Sequence, residues 1–410
     1  MLKAVDVVFV MLPNPQLRTP TMYYGLGIFY LAAVLRKKGV SVGVVDMRGS
    51  EQVDLDMIPL TKWICISATT GEIGFAKYLA QNIKNGTKTV LGGAHATLIP
   101  EDCTNLFDHI VVGEGEDVIF PLIDGKEAMQ PIIEADRIQD LDNLPFPAWN
   151  LLPENHMFSL TLMPGERYGS LKPAATIIGS RGCPFKCAFC ANMLKLPVVK
   201  RSPSSIALEM KTLKEYYGVH NFRLEDDNIT VSKEWLKYLC MEVKDVNVKW
   251  KCHSRANLID LEMCEWMKDA GCVEVGMGLE SADPFVLNRV SKDITVEDAA
   301  IAVNYIQKAG MRAKVYLMSG LPGETEMTIR RNITFMQTVK PDKWTLSRFT
   351  PYPGCAIWNE PDKFDIKILS RDFSHYWNFP DTSIHELRNA TRQTLDRRFH
   401  KLYDWLEEHI

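Results

Sequence analysis

From residue 4 to residue 112, short β-branched apolar runs alternate with stretches whose apolar positions recur every three or four residues. Residues 4–11 form the first run. After a Pro- and Thr-rich loop, Ile28, Leu31 and Leu35 mark a helical face that Lys37, Lys38 and Gly39 end, as basic residues and glycine commonly do. Residues 40–46, 63–67, 89–91 and 109–112 read as further strands, and 73–84 as a further helix. Alternating strands and helices predict a parallel sheet covered on both faces. Ligands of such sheets sit beyond the carboxyl ends of the strands, which here are the loops 12–24, 68–72, 92–97 and 113–116.

A second alternation begins at residue 173. Strand-like runs at 173–180, 219–225, 247–253, 272–279, 312–319 and 342–349 are separated by helical segments. The clearest helix has Ser202 as cap, Pro203 at its first position, Ile206, Met210, Leu213 and Tyr217 on one face and Gly218 as terminator. Another is expected over 325–338, with Ile329, Ile333 and Met336 aligned. Six repeats of roughly 30 residues fit βα units and predict a partial (β/α)6 barrel, whose chemistry belongs at the carboxyl ends of its strands. Pro145 and Pro147 oppose helix between the two alternations, and residues 151–172, which lack clear periodicity, are expected to cover or approach the site. The expected domains are 1–143, a linker at 144–172, a barrel at 173–355 and a mostly helical extension at 356–410. That extension carries Trp358, Tyr376, Trp377, Arg388, Arg392, Arg397 and Arg398, with a helix expected over 383–408 that packs on the barrel.

The composition narrows the classes. In 410 residues, 46% are hydrophobic and 24% charged, as in an ordinary globular protein. A net charge of −4 offers no broad attraction to nucleic acid or to an anionic membrane. No apolar run approaches the ~18 residues of a membrane span, and the N-terminal residues lack the pattern of a secretory signal, so a cytoplasmic protein is expected. Ten cysteines then read as thiols and metal ligands rather than disulfides. Cys65, Cys240, Cys264 and Cys272 lie in apolar or amphipathic stretches and read as buried thiols.

Cys183, Cys187 and Cys190 differ. Their C-x3-C-x2-C spacing follows the first strand of the second alternation, and three thiolates on one tight loop can hold three irons of a four-iron cluster while leaving the fourth open. Structural zinc normally takes four ligands, and no second cysteine or histidine pair at such spacing follows. Polar strings end the later strands: Glu225-Asp226-Asp227-Asn228, Cys252-His253-Ser254-Arg255, Gly278-Leu279-Glu280-Ser281 and Gly320-Leu321-Pro322-Gly323-Glu324. Acidic groups suit an ammonium and ribose hydroxyls, and arginine suits a carboxylate. Plainer roles also fit, with Asp226 and Asp227 as helix caps, Arg255 as their ion-pair partner and the glycine-rich string as a turn.

The cysteine spacing, with Phe189 before the last cysteine, resembles the signature of the radical S-adenosylmethionine (SAM) superfamily, and the strand-end strings resemble its further motifs. Leu279 stands where the family's Gly-Ile-Glu-Ser has isoleucine. Pro351-Tyr352-Pro353-Gly354-Cys355 resembles its Pro-Tyr-Pro-Gly-Thr, with a thiol that reads as buried rather than substrate-facing. The resemblance implies a 4Fe-4S cluster on Cys183, Cys187 and Cys190, and SAM held by Asp226, Asp227, Arg255, Glu280, Ser281, Gly320 and Gly323. In the first domain, Gly25-Leu26-Gly27, Ser67-Ala68-Thr69, Gly92-Gly93-Ala94-His95-Ala96-Thr97 and Gly113-Glu114-Gly115-Glu116 resemble the Rossmann-like cobalamin-binding domain of one large class of that family. Cobalamin would then meet Ser67, Thr69, Gly92, Gly93, His95, Thr97, Gly113 and Glu114. The cobalamin fingerprint Asp-x-His-x-x-Gly is missing from the first loop, since no histidine precedes His95, so His95 is expected to touch the nucleotide tail without coordinating cobalt.

The resemblance further implies an external one-electron donor such as flavodoxin or ferredoxin, and a small-molecule or peptide substrate. It implies methyl transfer to an unactivated carbon or to phosphorus, with ring formation or rearrangement as the alternative. Sulfur transfer would call for three cysteines in the first domain, and only Cys65 and Cys103 precede Cys183. An iron-sulfur redox sensor is the non-enzymatic rival.

Overall fold

The computed structural model describes residues 4–15, 24–83, 86–125, 130–152, 159–161, 172–191, 197–377 and 380–410, with only the backbone at 159–161, 172 and 173. Most of the expected cover at 151–172 and the middle of the loop at 12–24 lie outside the described residues. The chain forms two compact units: Met1–Leu160 with Asp372–Trp377, and Thr161–Arg371 with Asn378–Ile410.

The first unit is built on six parallel strands, β1 (Val5–Met11), β2 (Val42–Asp46), β3 (Thr61–Ser67), β4 (Lys88–Gly92), β5 (His109–Val112) and β6 (Ile132–Glu134), in the order β2-β1-β3-β4-β5-β6. Helices α1 (Leu26–Lys37), α2 (Ile73–Asn82), α3 (Ala94–Leu98) and α4 (Ile119–Asp124) connect them. Val8, Val10, Ile64, Ile66 and Leu91 form a core with Ile73, Ala76 and Leu79 of α2. The chain leaves β1 for one side and returns at β3 on the other, which makes the carboxyl ends of β1 and β3 the switch point where such sheets receive ligands. Strand β6 escaped the sequence reading because three residues show no periodicity. The sequence also placed the whole C-terminal extension with the barrel. Its residues 372–377 instead belong to the first unit: the Phe373 ring meets His95 edge-on at 4.9 Å, and a Cβ on Gly71 would lie 2.8 Å from the Tyr376 carbonyl and 2.9 Å from the Trp377 ring.

The second unit is built on a seven-stranded sheet that β8 (Lys172–Ile177) enters beside the edge strand β7 (Ser159–Thr161), whose residues straddle the division of the chain; β9 (Ser180–Arg181) and β10 (Val199–Lys200) form a separate antiparallel pair. The sheet continues through β11 (Asn221–Leu224), β12 (Lys249–Ser254), β13 (Cys272–Glu280), β14 (Arg312–Ser319) and β15 (Lys343–Arg348), in the order β15-β14-β13-β12-β11-β8-β7. Strands β8 and β11–β15 pair parallel and are the six expected from the sequence, while β7 adds one. The helices are α5 (Pro203–Tyr217), α6 (Lys233–Lys244), α7 (Leu261–Asp269), α8 (Pro284–Arg289), α9 (Val296–Lys308) and α10 (Glu326–Val339).

Local chemistry sets these ends. The Ser202 hydroxyl accepts from the Ser205 amide at 3.3 Å, Pro203 opens α5 and Gly218, at φ 66°, closes it. Strand alternation places Trp250, Val275, Met277, Ala313 and Val315 on the buried helix-covered face and leaves Arg223, Lys251, His253, Glu274, Lys314 and Tyr316 on the other. The extension adds α11 (Ala356–Asn359), an antiparallel pair β16 (Ile366–Ile368) and β17 (His385–Leu387), and α12 (Arg392–His409). The final helix starts later than expected because residues 385–387 pair as a strand and Thr391 supplies the cap. Among the described residues no helix is long and apolar enough to cross a membrane.

Candidate cofactor sites

The cysteine loop is clamped from several directions. Strands β9 and β10 pair across its base, with Val199 opposite Arg181. The Ala188 amide donates to the Val290 carbonyl at 2.8 Å and the Ala188 carbonyl accepts from the Ile357 amide at 3.2 Å. Asp226 accepts from the Gly179 amide at 3.0 Å and from the Ser180 hydroxyl at 2.5 Å, and Asp227 accepts from the Gly182 amide at 3.2 Å. Gly182 has φ 106°, a backbone state that a side chain would strain. The two aspartates therefore anchor the cysteine loop in this structure. Burial pushes the Asp226 carboxyl up to about 6. Burial also raises the Cys183 thiol, so a metal that binds here displaces a proton.

The donor set suits a cluster better than a single ion. A mononuclear site gathers its ligand atoms closely, and among the described residues the only group with all such atoms within 4.8 Å is His95, Asp102 and Cys103. The three loop thiols do not converge in that way; a four-iron cluster places each thiolate on a different iron. Arg255 lies beside them, its guanidinium 3.9 Å from the Phe185 ring centroid and donating to Cys187 Sγ at 3.5 Å. The residue is 5% exposed, and one terminal nitrogen, Nη2, is buried with no partner. An orphaned guanidinium nitrogen beside the cluster thiols fits a carboxylate such as that of SAM.

Glu280 ends β13 at φ 65°, where the register with β14 shifts. Its carboxylate folds back to Lys292 Nζ at 2.9 Å, in a pair whose side chains are 10% and 9% exposed. Gly278 makes this possible: a Cβ there would collide with the Glu280 carboxylate and stand 2.9 Å from Lys292 Nζ. Lys292 also lies 5.5 Å from the Phe189 ring. No sequence motif flagged it, since it sits in a turn after α8. Ser281 is buried and its hydroxyl accepts from the Asp283 amide at 3.2 Å, which makes it a turn-forming residue here. Gly320 and Gly323, at φ 90° and 88°, face the chain itself: a Cβ would meet the His385 ring at 3.2 Å and the Phe285 ring at 2.7 Å. Backbone conformation and packing each require glycine at both positions. Cys355 is fully buried and accepts from the Trp358 amide at 3.3 Å, the structural role expected of it.

Glu324 closes the same turn, accepting from the Gly320 amide at 2.7 Å and the Ser319 hydroxyl at 3.1 Å. Burial pushes its carboxyl from 4.5 up to about 7. The folded chain thus holds this proton more tightly than the unfolded chain. The associated stability is full below pH 4.5 and is lost as pH rises through about 7. Glu324→Gln keeps the shape of the protonated acid. Urea unfolding is expected to show the variant gaining on the wild type by roughly 1–3 kcal/mol between acidic and mildly alkaline pH; parallel pH profiles would contradict this. Beside it, His385 Nε2 donates to the Gly320 carbonyl at 2.8 Å, and burial lowers the imidazole to about 4, leaving it neutral.

In the first unit, the strand-end loops brace one another. Gly93, at φ 91°, would place a Cβ 2.7 Å from Ser67 Oγ and 2.9 Å from the Ala68 amide. Gly92 ends β4 in register with Ser67. Thr97 accepts from the Gly113 amide at 3.0 Å, and Gly113 itself has φ 94°. Gly93→Ala is expected to cost about 2–4 kcal/mol from strain and contact together, measured by denaturant unfolding of the full chain. Thr69 gives both its amide and its hydroxyl to Glu72, at 2.9 and 2.8 Å. Glu114 is buried, pairs with Arg137 and accepts from the Ile138 amide at 2.9 Å. It holds the chain after β6.

His95 was expected at a ligand surface. Its side chain has no exposed area, and Nε2 meets Asp102 Oδ2 at 3.0 Å, so the imidazole supports the loop from within. At the switch point, the amide oxygen Oδ1 of Asn14 is buried without a partner, and the loop 68–72 faces it through the 3.4 Å bond from Asn14 to Glu72. An unsatisfied polar atom at the ligand-binding edge of this sheet fits an amide-rich group such as cobalamin.

Family models agree with both readings. That of the radical SAM superfamily matches residues 177–336, and that of a B12 binding domain matches residues 18–120. The chain is 27% identical over 412 residues to the uncharacterized methyltransferase PH0819 of Pyrococcus horikoshii, covering 92% of this chain and 86% of that one. It is 26% identical to the anaerobic magnesium-protoporphyrin IX monomethyl ester cyclase of Rubrivivax gelatinosus, over 73% of this chain and 57% of that protein, and so spans little more than half of the cyclase. The solved radical SAM methyltransferase TsrM of Kitasatospora setae, with cobalamin and a 4Fe-4S cluster bound, shares the fold at a TM-score of 0.67 and 17% identity, over 87% of this chain and 78% of that one. The chain thus carries a B12-binding domain followed by a radical SAM domain, the combination its methyltransferase relatives suggest.

Proposed function

We propose that this enzyme methylates an unactivated carbon or phosphorus centre of its substrate. The observation that carries the reading is the three-cysteine loop pinned by Asp226 and Asp227, with a buried guanidinium nitrogen of Arg255 left without a partner beside Cys187. When bound, the cluster with SAM supplies a 5'-deoxyadenosyl radical, and cobalamin supplies the methyl group. The residues of the chain do the rest. Arg255 orients the SAM carboxylate, and Glu280, held by Lys292, is placed to accept from its ammonium. The Phe185 and Phe189 rings, covered by Arg255 and Lys292, keep water from the loop and so strengthen these charged contacts. Gly320, Gly323 and Ser281 shape the strand ends that border this site, and Ser67, Thr69, Gly92, Gly93, Thr97 and Gly113 shape the edge that receives cobalamin.

The enzyme draws single electrons from an external donor, a flavodoxin or ferredoxin, in the cytoplasm. Similarity to the cyclase favours ring formation as the second reading. Protein reconstituted anaerobically with iron, sulfide and hydroxocobalamin should show the spectrum of bound cobalamin and pass label from methyl-labelled SAM to a compound in a cell extract. Bound cobalamin with 5'-deoxyadenosine release but no methylated product would favour ring formation. A preparation that never retains cobalamin would overturn methyl transfer.

A further inference from the structure

The face of the barrel sheet opposite its helices carries an unusual charge balance. Register places Arg223 beside Lys251, Lys251 beside Glu274 and Glu274 beside Arg312; Lys314 and Lys343 pair one step further along. The carboxylates Glu274 on β13 and Glu225, just past the end of β11, stand among these cations. Both are already engaged: Glu274 meets Lys343 at 3.0 Å and Arg312 at 3.3 Å, and Glu225 meets Arg223 and, at 3.4 Å, His253. Lys251, Glu274 and Arg312 stand side by side on three adjacent strands, and the Glu274 carboxylate draws Arg312 and Lys343 together between them.

The excess is positive and partly buried. Lys314 makes no ion pair among the described residues, and its ammonium lies 4.9 Å from the Tyr316 ring centroid. Arg312 has its Nε buried with no partner. Burial, reinforced by the neighbouring cations, lowers Lys251 to about 8, and burial lowers Lys314 too. Partly buried charges of one sign are tolerated when an opposite charge joins them, and a cleft lined by one sign concentrates ligands of the other.

We propose that the substrate carries, remote from its reacting centre, an oxyanion, a phosphate or a carboxylate, which seats toward the amino ends of the barrel strands on Lys251, Lys314 and Arg312 while the reacting centre lies at their carboxyl ends. The proposal rests on the reading of this unit as a radical SAM barrel that acts on a substrate. A hydrogen-bonded chain borders the seat toward the carboxyl ends of the strands, from Tyr316 to His253 at 3.2 Å and on to Glu225. The excess of cations over carboxylates matches the anion by charge, and Arg312, beyond its bond to Glu274, keeps a buried Nε donor with fixed geometry.

Competitive amine labelling of the full chain, read by mass spectrometry at a pH near that of Lys251, tests it without any variant. Inorganic phosphate and succinate are compared with chloride at matched ionic strength. One of the two oxyanions should slow modification of Lys251 and Lys314 by about tenfold and leave Lys211, exposed on α5, unchanged; which one protects distinguishes phosphate from carboxylate. Arg312→Gln should raise the concentration for half-protection about tenfold. Protection no greater than that of chloride, or half-protection unchanged in the variant, would overturn the proposal. Release of 5'-deoxyadenosine by the reconstituted protein separately reports whether the radical SAM reading stands.

Discussion

Replacing Cys187 with alanine is expected to remove the cluster and with it SAM cleavage, lowering 5'-deoxyadenosine release by at least about a thousandfold, some 4 kcal/mol of barrier. The reason is geometric. Cys187 is 8% exposed, and Arg255 donates to its sulfur, so no water can enter easily as a substitute ligand. The loop backbone is held independently by Asp226, Asp227 and Val290, and the chain should therefore still fold. Iron analysis and the visible spectrum after anaerobic reconstitution report the loss directly. Cys240→Ala is the matched control: Cys240 is buried on α6 and is not part of the three-cysteine loop, and its loss should spare iron content while lowering stability. Equal iron in the Cys187 variant and the wild type would remove this residue from the ligand set.

The second large effect is expected from Lys292→Ala. Its ammonium is the ion-pair partner of Glu280, and both side chains are about nine-tenths buried. Removing one partner of a buried pair leaves the other charge uncompensated, at a cost of roughly 3–5 kcal/mol. The cost is increased by the left-handed backbone of Glu280, which the pair helps to hold. Denaturant unfolding should show the loss, and the double variant Lys292→Ala with Glu280→Gln should recover much of it, because no stranded carboxylate remains. If the double variant is as unstable as the single, the pair is not the source. A SAM-binding measurement on the double variant then isolates the role of Glu280 in holding the cofactor.

Both alternations of strand and helix were legible because one face of each strand must be apolar. Trp250, Val275, Met277 and Val315 alternate with polar residues, and that period-two pattern survives any detail of packing. The three-cysteine loop was legible because Cys183, Cys187 and Cys190 lie within eight residues of chain. Long-range partners were not. Asp226 and Asp227 carry the charges the sequence suggested, yet their carboxylates reach back some 45 residues to the amides of Gly179 and Gly182. Lys292 lies in a turn with no periodic signal, and only the missing Cβ of Gly278 hints that a side chain folds over it. Gly320 and Gly323 carried a true signal, the need for positive φ, but the sequence does not say whether a cofactor or the chain itself occupies the space beside them. The burial of His95 was unreadable for the same reason, since Phe373, which covers it, comes from the far end of the chain.

Cys183, Cys187 and Cys190 are expected to hold a four-iron cluster whose remaining iron is open to SAM. Electron paramagnetic resonance of the reduced, anaerobically reconstituted protein, recorded with and without SAM, decides this. A reduced 4Fe-4S signal that changes when SAM is added is the expected result. A metal content of zinc, or a cluster signal indifferent to SAM, would contradict it.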